Sequence, residues 1–176
     1  QALIDRDRVD FVVGPIFSNI LQAIHAPVVN SQRAFLISAN AGPSSYAGRG
    51  CHENFFVTSY QNDQVHEVLG AYAQRQNFQK VFLLTPNYQA GRDAMAGFKR
   101  HFRGQIADEV YTPLGHLDFS AELARIGSSG ANALFTFMPG GMGVNLVRQY
   151  AQAGLTQRIP FLSAFTVDES TLPAQQ

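Results

Sequence analysis

Charge is scarce in this sequence and evenly split. Thirteen basic and 13 acidic side chains among 176 residues give a formal net charge of zero. A phosphate-binding surface needs clustered Lys and Arg, so no nucleic-acid partner is expected. The nearest basic cluster, Lys99, Arg100, His101 and Arg103 with Arg92, reads as the solvated face of a helix. No apolar run approaches the ~20 residues of a membrane-spanning helix. Cysteine is nearly missing too: Cys51 stands alone, so no disulfide forms within this sequence. His52 is its neighbour, but Cys-His catalysis needs the imidazole to meet the sulfur in space while a third group orients it. Cys51 is therefore expected to be a loop cysteine, with any disulfide partner outside this sequence. A Gly-x-Ser-x-Gly elbow, a Walker A loop and a dinucleotide-binding glycine fingerprint are all lacking. The five histidines are scattered without metal-ligand spacing, and Gly127-Ser128-Ser129-Gly130 reads as a turn. An enzyme is not expected, nor is a cofactor or a metal.

What the chain does have is a hydrophobic content of 45%, enough for one domain or two small lobes with a real core. Short apolar runs alternate with amphipathic stretches. Strands are expected near residues 9–13, 34–38, 55–58, 80–84, 107–111, 133–137 and 160–164, with 107–111 at a sheet edge because polar residues interrupt it. Between them lie helices. Ser18 offers an N-cap to Ile20, Leu21, Ile24, Val28 and Val29, and Pro27 should kink or shorten that helix. Asn62 or Asp63 caps a helix carrying Val65, Val68, Leu69 and Tyr72. Met95, Phe98 and Phe102 line the next, which should stop at Gly104. Asp118 caps a helix with Phe119, Leu123 and Ile126, and Gly154 ends the one lined by Met142, Leu146, Val147 and Tyr150. The chain opens on Gln1 as if in the tail of a helix and closes at Gln176 soon after a strand. It is expected to be a trimmed piece of a longer protein, so the missing leader says nothing of compartment.

Continuous apolar strands separated by helices imply an α/β fold, with parallel sheets and helices on both faces. Ligands in such sheets bind outside the carboxyl ends of the strands. Those ends are Phe17-Ser18-Asn19, Ser38-Ala39-Asn40-Ala41, Pro86-Asn87-Tyr88-Gln89, Met138-Pro139-Gly140-Gly141 and Phe165-Thr166. They are short, polar or glycine-rich and partly aromatic, which suits a small-molecule cleft.

Four segments carry a resemblance. Residues 9–19 look like one family's strand, glycine and serine-bearing loop, and residues 35–43 like its next strand and ligand loop. Gly115 with His116-Leu117-Asp118-Phe119-Ser120 is similar to a Gly-x-x-Asp-Phe-Ser motif opening a helix. Arg148 to Leu155 resembles that family's "RQ…GL" helix end. In this order and spacing the chain resembles type I periplasmic solute-binding proteins of the branched-chain amino-acid (Leu/Ile/Val) ABC transporter family. The resemblance implies two αβα lobes with the ligand between them. Residues 1–57 would be part of the first lobe, and residues 58–176 the second, lacking its C-terminal return crossing. It also implies a periplasmic location and two kinds of partner, a small-molecule ligand and the membrane subunits of an ABC importer. A truncated first lobe would expose an edge or apolar face and promote self-association.

The resemblance places Ser18 and Asn19 in the loop that holds a ligand carboxylate. A helix N-terminus with free N–H groups suits an anion; plain capping by Ser18 is the equal alternative. Ser38, Ala39, Asn40 and Ala41 match the second such loop, with Asn40 and Gly42 departing from the family's usual Ala-Thr. Where the family often has Tyr-Gly this chain has Ala90-Gly91, with Tyr88 just before. Amino-acid binders place an acid near Phe165 to pair the ligand's ammonium, and a buried ammonium without one is costly. The expected ligand therefore keeps a carboxylate and loses the amine, with Tyr88, Phe137, Met138 and Phe165 around its apolar or aromatic body. Asp168 and Glu169 lie close enough to keep an amino acid as the rival. A sensor domain on the same fold, or a small α/β enzyme, are the alternative functions.

Overall fold

The computed structural model describes residues 1–175; Gln176 lies outside them. A short helix, α1 (Ala2–Asp5), precedes β1 (Phe11–Val13), α2 (Ser18–Val29), β2 (Phe35–Ser38) and β3 (Phe55–Val57). Then follow α3 (Asn62–Arg75), β4 (Lys80–Pro86), α4 (Gln89–His101), β5 (Gln105–Thr112), α5 (Ser120–Ser128), β6 (Ala133–Thr136), α6 (Gly141–Gln152) and β7 (Phe161–Ser163). Every strand pairing is parallel. One sheet has the order β1-β2-β3 and the other β5-β4-β6-β7, with β5 at the edge as its mixed composition implies.

The second sheet is covered on both faces, and the period-two alternation of its central strands explains how. Val81 and Leu83 with Phe135 pack under α3 and α4, against Ala73, Met95 and Phe98. Phe82 and Leu84 with Leu134 point the other way, against Phe119 at the start of α5, Leu123 and Ile126 within it, and Leu146 and Tyr150 of α6. All six of these strand residues are fully buried, which is why the strands read as unbroken apolar runs. The first sheet differs. Val12, Leu36 and Phe55 face Leu21 and Val28 of α2, while Phe11, Val13, Phe35 and Phe56 on the opposite face are exposed.

Several helix ends sit one residue from where residue type alone puts them. Phe17, not Ser18, is the N-cap of α2, and Phe119, not Asp118, that of α5. Asp118 still serves the end it marks, since its Oδ1 accepts the Ser120 N–H at 3.0 Å. Gln61 caps α3, where Gln64 Oε1 accepts the Gln61 N–H at 3.1 Å. Helix α2 does not stop at Pro27 but runs two residues further, because Val28 and Val29 are buried against the first sheet and tertiary packing outweighs one missing hydrogen bond. Helix α4 ends at His101, short of Gly104. Gly154 does close α6, in the left-handed region at φ +67°.

Helices α3 and α4 meet backbone to backbone. A Cβ on Gly70 would lie 2.0 Å from the Phe98 carbonyl oxygen, and one on Gly97 would lie 2.3 Å from that of Asp63. The basic cluster sits on this pair and is locally neutralised. Arg100 pairs with buried Asp63 at 2.6 Å and with Glu67, and Lys99 pairs with Glu109 at 2.6 Å. The solvated-face reading therefore fits.

Candidate ligand cleft between the two sheets

A cleft of about 210 Å³ opens between the carboxyl ends of the two sheets. From the first sheet it takes Ile16, Phe17 and Ser18 after β1 and Asn40 after β2. From the second it takes Tyr88 and Ala90 after β4, Phe137, Pro139 and Gly140 after β6, and Phe165 and Asp168 after β7. Tyr60, Asn62 and His66, in the crossing segment and the first turns of α3, close it from one side. The volume falls below the ~300 Å³ at which pockets for drug-sized ligands begin, so a ligand here is small.

Polar groups gather at one end. The first N–H groups of α2 have no intrahelical acceptor, and Ser18 is the first residue of that helix. Ser18 Oγ accepts a hydrogen bond from Asn62 Nδ2 at 3.0 Å, which leaves its own proton free to donate. Asn62 is held in turn: its Oδ1 accepts the Gly42 N–H at 3.1 Å and its Nδ2 also reaches Asp93 Oδ2 at 3.1 Å. Buried Asp93 further accepts the Ser44 N–H at 3.1 Å, the Ser44 hydroxyl at 2.7 Å and Gln89 Nε2 at 2.9 Å. The Gly42–Ser44 loop of the first sheet is thus tied to α3 and α4, and the tie ends on Ser18. Asn40 Nδ2 donates to the Ile16 carbonyl at 3.0 Å, fixing the two first-sheet loops to each other. Among the described residues no Lys or Arg lines the cleft, so an anion in it meets hydroxyl, amide and helix N-terminus.

Aromatic rings form the remainder. Phe165 stacks on Tyr60 at 5.3 Å, Tyr88 stacks on Phe137 at 6.3 Å, and His66 meets Phe137 edge-on at 5.3 Å. Phe165 adopts φ +60°, a left-handed conformation that a bulky side chain rarely takes, which turns its ring toward Tyr60 and His66. Burial pushes the Tyr88 phenol up and holds the His66 imidazole down at about 4, so both are neutral near pH 7. Asp168, the one acid among the described lining residues, is exposed at the rim. Its Oδ1 accepts from Ser170 N and Oγ and from Thr171 N, and these bonds lower its pKa.

Of the residues singled out in the sequence, Ser18, Asn40, Tyr88 and Phe165 come together in this cleft, as does Phe137. Asn19 faces an outer crevice with Ile20, Leu114 and Leu117. Ser38 is buried and donates to the Ala41 carbonyl at 2.6 Å, a staple within its loop, and Ala41 is buried beside it. Ala39 is exposed but outside the cleft lining. Met138 is fully buried under α6, on the opposite face of the sheet from Phe137. Tyr60, Asn62 and His66 were not anticipated as cleft residues. The available signal was the four-residue spacing of Asn62 and His66, which puts both on one helix face. Cys51 is exposed, and Nδ1 of His52 accepts the Asn54 N–H at 3.1 Å, turned to its own backbone.

Comparison with known proteins gives a consistent picture. The sequence profile of a family described as periplasmic binding protein matches residues 1–176. A Leu/Ile/Val-binding protein homolog from Brucella melitensis is 27% identical over 180 residues, covering 99% of this chain and 45% of its own length. The chain therefore spans less than half of that relative. A solute binding protein of an ABC transporter from Rhodopseudomonas palustris, solved with 4-hydroxybenzoate (para-hydroxybenzoate), superposes with a TM-score of 0.91 at 26% identity, covering 99% of this chain and 49% of its own. Another, from strain BisB5 of that species, solved with 3,4-dihydroxybenzoic acid, is 31% identical with a TM-score of 0.84, covering 93% of this chain and 45% of its own. These are solute-binding proteins, not enzymes.

Proposed function

The chain belongs to the periplasmic binding protein family, and on that premise we propose that it is part of an extracytoplasmic solute-binding protein of an ABC importer whose ligand is a small aromatic carboxylate. The observation that carries the ligand class is the ring of aromatic side chains, Tyr60, Tyr88, Phe137 and Phe165 with His66, facing the Ser18 hydroxyl across one small cleft. The carboxylate lies at the polar end. It accepts from Ser18 Oγ and from the free N–H groups of α2, whose dipole favours negative charge there. The ring lies between Tyr88, Phe137 and Phe165, where stacked and edge-on contacts each add ~0.5–1.5 kcal/mol beyond burial. The sheet of residues 11–57 and the sheet of residues 80–163 act as the facing walls of two lobes, with the boundary near residues 57 and 58. The membrane subunits of the importer are the macromolecular partner. The two Rhodopseudomonas palustris proteins, solved with hydroxybenzoic acids, support the reading.

A second reading, a branched-chain amino acid, has one observation in its favour: Asp168 lines the cleft with Oδ2 outside its own turn. An ammonium at the rim would find a counter-charge there, and the Brucella melitensis relative carries that name. Against it, the aromatic wall stands where the aliphatic ligand's ammonium would have to be desolvated. A thermal-shift screen of the full-length protein separates the two. Benzoic acids are expected to raise the melting temperature and leucine, isoleucine and valine to leave it unchanged; the reverse ordering would sink the proposal.

A further inference from the structure

His66 is only 2% exposed, yet its Nδ1 has no hydrogen-bond partner among the described residues. Aromatic rings wall it instead: Phe135 at 5.6 Å, Phe137 at 5.3 Å and Phe165 at 6.3 Å, all edge-on. Leaving a buried polar nitrogen unpaired is unfavourable, and a phenylalanine would fill the same space without that cost. His66 lines the cleft and its other nitrogen, Nε2, is not sealed, so a ligand can bring that nitrogen a partner which the fold does not.

The helix sets where that partner would sit. Asn62, hydrogen-bonded to Ser18, and His66 are four residues apart on α3, hence on one face and separated by ~6 Å along its axis. That spacing suits a benzene ring with a carboxylate at one end and a substituent at the para position. Desolvation keeps the imidazole neutral, with one ring nitrogen protonated and the other an acceptor. Nδ1 is sealed among the rings, so Nε2, which no described residue hydrogen-bonds either, is the nitrogen a ligand meets, and an O–H group, able both to donate and to accept, complements it in either tautomer. An unsubstituted ring would leave Nε2 unmatched.

We propose that His66 is a specificity-determining residue whose Nε2 hydrogen-bonds a ring hydroxyl of the bound acid, so that the cleft selects phenolic carboxylates over unsubstituted ones. The proposal deepens the aromatic-carboxylate reading and rests on it. Ser18 and the N-terminus of α2 hold the acid in either case; His66 decides which ring is preferred. A site that leaves its own polar group unpaired against the wrong ligand discriminates more sharply than one that merely fits the right one.

The test is calorimetric titration of the full-length protein with benzoate and with para-hydroxybenzoate, for wild type, His66→Phe and His66→Gln. The wild type is expected to prefer para-hydroxybenzoate by about tenfold, the order of one buried hydrogen bond. His66→Phe should bind benzoate within about threefold of wild type, or more tightly, and lose the preference. His66→Gln, which retains an acceptor, should keep part of it, and together with the wild-type comparison it decides the matter if His66→Phe fails to fold. Equal wild-type affinity for the two acids, or a preference that survives in His66→Phe, overturns the role of His66 and leaves the aromatic-acid reading standing. Wild type that binds neither acid overturns both.

Discussion

In the proposed site, Ser18 is the residue through which the scaffold would reach the ligand. Its hydroxyl accepts from Asn62, Asn62 is fixed by Gly42 and Asp93, and the proton left over finds no acceptor among the described residues. Ser18→Ala removes one charge-assisted donor, so the affinity of the full-length protein for a benzoic acid should fall about tenfold or more in calorimetry, the scale of ~1.5–3 kcal/mol for a hydrogen bond to a charged group. His66 makes a prediction about pH. Its folded-state pKa of about 4 lies below the ~6.5 of an unfolded histidine, so the unfolded chain takes up more protons as pH falls through that window. The stability that His66 contributes is complete above pH ~6.5 and lost progressively down to pH ~4, about 2 kcal/mol of it by pH 5. Urea denaturation at pH 7 and pH 5 should show that loss in wild type and a smaller one in His66→Phe; identical losses would mean that the ring is protonated in the folded state. These two residues were unequally legible. The place of Ser18 in the cleft lining could be read, because it follows a strand and opens an amphipathic helix at a carboxyl end of the sheet. His66 could not, because its helix stripe of Val65, Leu69 and Tyr72 reads as core, and only the tertiary fold brings Phe137 and Phe165 to it. Met138 shows the converse. It adjoins Phe137 but points to the other face of the sheet, the one-residue slip that a period of two allows.

At the scale of elements, the two sheets behave differently. The second was legible almost entirely from sequence, since strands covered on both faces leave continuous apolar runs and the helices between them carry clear stripes. Helix ends were harder, because Ser18, Asn62 and Asp118 are residue types that cap helices and also make tertiary hydrogen bonds, and the sequence does not distinguish the uses. In the first sheet, Phe11 stacks on Phe35 at 5.6 Å and Phe35 lies 6.1 Å from Phe56, yet all three are exposed, Phe11 at 60%. An apolar sheet face of this kind associates with whatever can cover it. The 176-residue chain on its own should therefore run as dimers or larger species in light scattering. Phe35→Lys should shift it toward monomer. A wild-type chain that stays monomeric at high concentration would contradict the argument.

At the scale of the molecule, the cleft joins what neither sheet supplies alone. The first sheet contributes hydroxyl, amide and a helix N-terminus; the second contributes Tyr88, Phe137 and Phe165. Helix α3 links them, pressed so closely on α4 that glycine is required at both Gly70 and Gly97, and it carries Asn62 to the polar end and His66 to the aromatic one. The overall plan was readable from the order of four short motifs, whereas the crossing segment, with Tyr60, was not, because nothing in its composition marks it as a wall of the cleft. The central claim is that this wall takes an aromatic ring where an amino-acid site would pair an ammonium. Calorimetric titration of the full-length protein with benzoic acids and with leucine, for wild type and Phe165→Glu, tests it directly. Wild type should bind a benzoic acid and not leucine, since an unpaired buried ammonium costs several kcal/mol, and Phe165→Glu should weaken the aromatic acid at least tenfold by placing a carboxylate beside its ring. Tight leucine binding by the wild type, unaffected by Phe165→Glu, would contradict the account.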